Sequence, residues 1–305
     1  MSLPISLWGG ADAQTIDLLA DRCRAAAAIG LPAVWIPQTT TFDAITALAV
    51  VADRVPEVAL GTAVVPIQGR HPIPLAQAAL TTSAVAGPGR FSLGVGVTHA
   101  IMSEGWFGIP YRGITELAAE ELEALAGLLG PTRSSTFEGE RLVARATLAI
   151  DAPRPDFLVA ALGPRMLELT ARHADGTVTW MTGPTTLGRD TVPTLTRWCE
   201  QLGRAEPRVV AGLPVCVTDD VAGARERLAP AISGAAQLPS YRRAVAAEGL
   251  AEPVDLVLMG DEDAVAERIA AVEAAGATEL LANVVGEPEE RDRTLALLAR
   301  VVDPG

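Results

Sequence analysis

The sequence predicts an α/β protein: a closed (β/α)8 TIM barrel carrying insertion segments. Short apolar runs alternate with helix-period segments eight times along the chain, the pattern of a wound parallel sheet. Runs such as Val34-Trp35-Ile36 are apolar without alternation, as strands covered on both faces are. A length of 305 residues is normal for one such barrel, and no linker, internal repeat or low-complexity tract divides it, so residues 1–305 read as one domain.

Ile5–Trp8 is the first strand and stops at Gly9-Gly10. Asp12 is placed to cap the next helix, which runs to about Ile29 and closes at Gly30. Ala33–Ile36 and Phe42–Arg54 form the second pair, Val58–Val64 and Pro74–Ala86 the third. Phe91–Val95 is the fourth strand, and its helix begins late, near Ile114. Phe157–Ala161 with Pro164–Arg172 is the fifth pair, and Thr177–Met181 with Pro184–Leu202 the sixth. Val209–Val217 is the seventh strand, with Asp219–Leu228 starting its helix. Thr278–Val285 and Pro288–Val302 close the barrel, the last helix having proline in its first turn beside Glu287, Glu289 and Glu290, which complement its dipole.

Three segments interrupt the alternation: residues 97–113, 131–155 and roughly 229–260. The first is an aromatic loop with Trp106, Phe107 and Tyr111; the second holds a hairpin signal at Phe137-Glu138-Gly139-Glu140. The third ends in Leu256–Met259 and Gly260-Asp261, a second helix start. Connections of that length are usually functional or lid-like. The third and fourth strands end in small or polar residues, which places exposed backbone and His99 at the carboxyl ends of neighbouring parallel strands, where barrels do their chemistry.

All 24 basic residues are arginine. Without lysine there is no P-loop phosphate binding, no pyridoxal Schiff base and no lysine aldolase chemistry. Net charge is −13 and the pI about 4.7, which argues against nucleic acid and anionic membrane surfaces as partners and serves solubility. Cys23, Cys199 and Cys216 are dispersed, so neither a disulfide framework nor a zinc site is expected, and Cys23 falls on the apolar stripe of the first helix. Three scattered histidines without metal-ligand spacing give no metal site. No basic segment with a long apolar run opens the chain and no stretch is apolar enough to span a membrane, so a cytoplasmic location is expected.

Several stretches in order carry a resemblance. They are Leu60-Gly61-Thr62-Ala63-Val64, Arg70-His71-Pro72, Gly89–Gly96, Ala161-Leu162-Gly163-Pro164, His173-Ala174-Asp175-Gly176, Thr177–Pro184 and Ala211–Asp220. Together they resemble the bacterial-luciferase-like superfamily, specifically its deazaflavin (coenzyme F420)-dependent oxidoreductases, over essentially the whole chain. The resemblance implies a homodimer that passes hydride between the deazaflavin and a small organic substrate such as an enone, an imine or an alcohol. An FMN-dependent monooxygenase of the same superfamily and a catalytically silent flavin-binding barrel are the alternatives.

The resemblance also implies a cofactor site made by Gln38, Thr62, Ala63, Val64, Gly96, Leu162, Gly163, Arg165 and Met166. It puts a non-proline cis peptide at Ala63–Val64, pressing the ring from behind. It places the cofactor phosphate at Gly163-Pro164-Arg165-Met166, where free amides and the helix dipole suit an anion and Arg165 can add a charged bond. His99 stands where sugar-phosphate dehydrogenases of the family carry a glutamate. An imidazole exchanges protons near neutral pH, so His99 is the expected proton partner of hydride transfer, or else only a hydrogen-bonding contact to the cofactor. Gln38 stands where relatives carry an acidic residue and a histidine; it can hydrogen-bond a ring carbonyl but transfers no proton. His71 is read as a helix cap or loop tie, and His173 as a packing or surface residue in the interior of its helix. Trp8, Trp106, Tyr111 and Trp180 are the expected substrate-pocket walls. The lysines that hold a sugar phosphate in relatives are missing, which favours a less charged substrate in an apolar pocket.

Overall fold

The computed structural model describes residues 3–10, 12–236 and 239–302, with the side chains of 233–240 outside the description. Eight parallel strands close on themselves: β1 (Ile5–Trp8), β2 (Ala33–Ile36), β3 (Ala59–Thr62), β4 (Phe91–Gly96), β5 (Asp156–Val159), β6 (Gly176–Trp180), β7 (Arg208–Val217) and β8 (Glu279–Val284). Each pairs with the next, and β8 returns to β1 in the register Ile5↔Leu280, Ser6↔Leu281. Eight helices lie outside: α1 (Ile16–Ala28), α2 (Ala44–Arg54), α3 (Pro72–Ala86), α4 (Ile114–Leu129), α5 (Pro164–His173), α6 (Val192–Gln201), α7 (Glu262–Ala274) and α8 (Pro288–Val302). The predicted barrel is the observed one.

The bore is filled by inward-pointing side chains. Trp35, Leu158, Val178, Val210 and Leu281 form one buried cluster there, with Trp8, Ala63 and Val64 packed against it. Glycines make room for the indoles. A Cβ on Gly61 would lie 2.3 Å from Trp35 Cε3, and one on Gly212 would lie 2.8 Å from Trp180 Cε3. A tryptophan on one strand is therefore matched by an absent side chain on the neighbour, the large-against-small packing that close-packed interiors require.

The amino-terminal end of the bore holds a polar plug. Glu279 accepts from Ser6 Oγ at 2.5 Å, from Trp35 Nε1 at 2.9 Å and from Arg208 Nη2 at 2.8 Å. Arg208 also bonds Asp156 and, at 3.3 Å, Ser92 Oγ. The Ser6 hydroxyl, the Trp35 indole N–H and both Arg208 Nη groups thus meet acceptors.

The second helix starts at Ala44 and the third at Pro72, against Phe42 and Pro74 expected, and the cap of the first helix is not the expected one. α1 is capped by Thr15, whose hydroxyl accepts from Leu18 N at 3.1 Å, while Asp12 forms an ion pair with Arg22. Threonine at the junction satisfies the free amide, so the aspartate three residues earlier is released to the surface. The second helix start after Gly260 is as read: Asp261 Oδ1 accepts from Ala264 N at 2.9 Å. We expect Asp261→Ala to lower stability by about 1 kcal/mol, read as a shift in the urea midpoint.

The insertions also differ in detail. Residues 97–113 are not all loop: Ala100–Phe107 is a helix, ended by Gly108 in the left-handed region. The hairpin signal is confirmed by antiparallel strands Ser134–Glu138 and Val143–Thr147. Pro184–Leu202 is not one helix; a turn at Pro184–Thr186 and one π-helical turn at Leu187–Thr191 precede α6. The third insertion begins inside the helix Val221–Ala236, continues as the helix Pro239–Ala247, and ends in a short strand, Leu258–Gly260, paired with the end of β7.

Candidate active site

The carboxyl ends of β1 to β6 open into one cavity of about 440 Å³. That volume is in the range of small-molecule sites. Its inner wall is Trp8 stacked on Trp180, ring centroids 5.0 Å apart and 27° between planes, beside Ala63, Val64 and Gly96. A Cβ on Gly96 would meet Ala160 Cβ at 2.8 Å and Val64 Cγ2 at 3.0 Å, so glycine lets β4 and β5 close beneath this wall. The Ala63–Val64 bond is cis, at the position the resemblance implied.

Thr62 sits just before that bond, fully buried and outside the cavity lining. Its hydroxyl accepts from Gly94 N and donates to Gly94 O, both at 2.8 Å. The side chain supplies two bonds to β4 at the point where β3 leaves the ladder. Gln38 lines the cavity, but its amide is committed to α2. Oε1 accepts from Ala44 N at 2.8 Å and Nε2 donates to the Phe42 carbonyl at 3.2 Å.

His99 precedes the helix Ala100–Phe107 and faces the cavity half-buried. Burial lowers its pKa below the usual 6.5, so the neutral imidazole prevails at pH 7. Neither ring nitrogen has a hydrogen-bond partner among the described residues. Its ring lies 5.4 Å from that of Tyr241, tilted by 56°. Tyr111 reaches the same cavity from the first insertion. Among the described residues, no Asp, Glu or Arg belongs to the lining.

Leu162, Gly163 and Met166 also line the cavity, and Gly163 and Leu162 are shared with a second cleft of about 590 Å³. The first intrahelical bond of α5 runs from Leu167 N to Gly163 O at 3.0 Å, which leaves the amides of Arg165 and Met166 without helical partners. Nothing lies within 4 Å of where a Gly163 Cβ would be. The cleft adds Thr182, Thr186, Thr191 and Thr194, with the Thr186 hydroxyl buried and unpartnered. Asp190 also lines the cleft, its carboxylate paired with Arg189, and the threonines and free amides make the rest a polar cradle at a helix amino terminus.

Two expected residues lie elsewhere. The Arg165 side chain points to solvent, 69% exposed and 3.9 Å from Glu116; the basic group lining the cleft is Arg243, on Pro239–Ala247. Trp106 is 54% exposed, near the end of Ala100–Phe107 beside Phe107, and is not part of the lining. Trp106 follows Met102 by one helical turn on the same side of this short helix, so its place at the helix end, beyond the cavity, leaves it out of the lining. His71 caps α3, its Nδ1 accepting from Ile73 N at 3.2 Å. His173 is the last residue of α5 rather than an interior one, and burial lowers its pKa. Tyr241 and Arg243 were not singled out from the sequence. The available signal was a tyrosine followed closely by Arg242-Arg243 inside the longest insertion.

The profile of the family described as luciferase-like monooxygenase matches residues 1–279. The chain belongs to that family. Among relatives of this luciferase-like chain is a Mycobacterium tuberculosis (strain H37Rv) protein provisionally named a coenzyme F420-dependent oxidoreductase, 26% identical over 96% of this chain and 97% of its own. Similar solved structures include an F420-dependent secondary alcohol dehydrogenase in complex with an F420-acetone adduct, with TM-score 0.82, 17% identity and 99% of both chains covered. The coenzyme F420-dependent tetrahydromethanopterin reductase from Methanopyrus kandleri has TM-score 0.76 and 20% identity, covering 100% of this chain and 99% of its own. The oxygenating constituent of 3,6-diketocamphane monooxygenase from Pseudomonas putida, in complex with FMN, has TM-score 0.77 and 18% identity, again over 100% and 99%. At these identities the structures show that the luciferase-like fold is shared.

Proposed function

We propose that this luciferase-like chain is a coenzyme F420-dependent oxidoreductase. Its substrate is a small, uncharged organic molecule: an alcohol, an enone or an imine. The observation that carries this reading is a cavity with aromatic walls and no carboxylate or guanidinium in its lining, continuous with a polar cleft at the amino terminus of α5. A flat ring fits the first part and an anionic tail the second. The name of the M. tuberculosis relative supports the deazaflavin over FMN.

When bound, the deazaflavin gives or takes a hydride at C5 and, with carbon in place of nitrogen there, disfavours oxygen chemistry. The chain's own residues do the rest. Ala63, Val64 and Gly96 back the ring, Leu162, Gly163 and Met166 flank the passage to the tail, and the free amides of α5 with Arg243 hold the tail's negative charge. Trp8, Trp180 and Tyr111 exclude water and hold the substrate against the ring. His99 takes the hydroxyl proton when an alcohol is oxidised, and returns a proton when a carbonyl or imine is reduced. The protein works as a homodimer in the cytoplasm in this reading, with light scattering as the check on assembly.

Titration with each cofactor, followed by quenching of Trp8 and Trp180 fluorescence, tests the proposal. Tighter binding of F420 than of FMN is the expected result; the reverse order overturns it. Turnover of loaded protein against alcohols, enones and imines then separates an enzyme from a silent binder.

A further inference from the structure

Tyr241 belongs to the insertion helix Pro239–Ala247, not to any barrel strand or barrel helix, yet its side chain lines the cavity beside His99. The ring is fixed there. Met181, Val245 and Leu256 form a buried cluster on which Tyr241 and Trp180 pack, so the insertion holds the phenol in place. The hydroxyl has no hydrogen-bond partner among the described residues, and it is not among the buried unpartnered atoms, so it opens to space. The neighbouring imidazole also has no partner among them. Two polar heads without protein partners, side by side in a mostly apolar cavity, call for a polar atom from a ligand.

We propose that Tyr241 is a substrate-binding residue that donates a hydrogen bond to the single oxygen of a neutral alcohol or carbonyl, the same oxygen that exchanges its proton with His99. The assignment rests on the function proposed above and deepens it. In alcohol oxidation the carbon-bound hydrogen leaves with its electron pair to the oxidised deazaflavin, the hydroxyl proton goes to His99, and the C–O bond becomes C=O. Tyr241 keeps its proton throughout; burial holds its pKa up at about 12, so it remains a donor at any working pH. Specificity follows from the same geometry. With no charged side chain among the described lining residues, an anionic substrate would lose its hydration without a counter-charge in direct contact. A neutral substrate lacking the oxygen would leave two polar heads buried and unsatisfied.

Tyr241→Phe tests this, since it keeps the ring and its packing and removes only the hydroxyl. The first measurement uses protein without cofactor and 2-cyclohexen-1-one or 2-propanol as the probe, read by the His99 imidazole resonances in NMR. Saturable perturbation in the native protein, weakened about tenfold in Y241F, is expected from the loss of one hydrogen bond. The second measurement uses the F420-loaded enzyme. KM for oxygenated substrates rises about tenfold in Y241F, while the cofactor Kd and the thermal midpoint stay as they were. Equal probe affinity in native and Y241F protein, or no saturable response in the native protein, overturns the assignment. If the probe arm holds but the protein fails to bind F420, the cofactor reading falls and the Tyr241 assignment survives.

Discussion

His99→Ala is expected to lower turnover about 10²- to 10⁴-fold, the loss typical of removing a positioned proton-transfer group, with the F420 dissociation constant changed little. The pH profile distinguishes this from a mere contact to the cofactor. Burial places the His99 pKa below 6.5, with no carboxylate in the cavity lining to raise it. For alcohol oxidation the neutral ring is the working form. The rate should stay level from neutral pH down to that lowered pKa and fall as the ring protonates. For carbonyl or imine reduction the protonated ring works, so the rate should rise as pH falls through the same value. Both limbs disappear in H99A. If His99 only touches the cofactor, H99A weakens F420 binding and leaves both limbs in place.

The barrel was legible because its signals are local and repeated. Each strand is a short apolar run and each helix has its own start and stop residues, so errors stay within one junction, as at Asp12 and Thr15. The cavity's inner wall was legible for a related reason: Trp8, Gly96 and Trp180 end barrel strands, and the fold fixes where strand ends go. Insertions obey no such rule. Trp106 and Met102 lie on one face of one short helix, and only how far that helix runs past the cavity leaves Met102 in the lining and Trp106 out of it. Tyr241 and Arg243 reach the site because the helix Pro239–Ala247 packs back on Met181 and Leu256, a long-range contact with no local signature. Arg165 was a natural choice next to Gly163, but at the first turn of α5 it offers a backbone amide without a helical partner while its side chain points to Glu116.

The largest loss of stability is expected far from this site, at Glu279. Its two oxygens accept from Ser6, Trp35 and Arg208, and the residue is 7% exposed. Glu279→Leu would strand the Trp35 N–H and the Ser6 hydroxyl in the bore and leave Arg208 with Asp156 and Ser92. Breaking a buried ion pair costs about 3–5 kcal/mol; the one-third exposure of the Arg208 side chain puts this case near the lower end. Glu279→Gln keeps one oxygen to accept from Ser6 and Trp35 but sets an amide NH2 where Oε2 accepted from Arg208, losing that bond and its charge, so a smaller loss of roughly 1–2 kcal/mol is expected. Urea unfolding with an unchanged slope reads both. The network lies at the amino-terminal end of the strands and the cavity at the carboxyl end, so E279Q should retain native KM and native cofactor affinity at temperatures where it is folded. A loss below about 1 kcal/mol in E279L would mean that water reaches the plug and replaces the missing acceptor. A change in KM for E279Q would mean that the plug sets the position of Trp35, and through the packed bore the wall formed by Trp8 and Trp180.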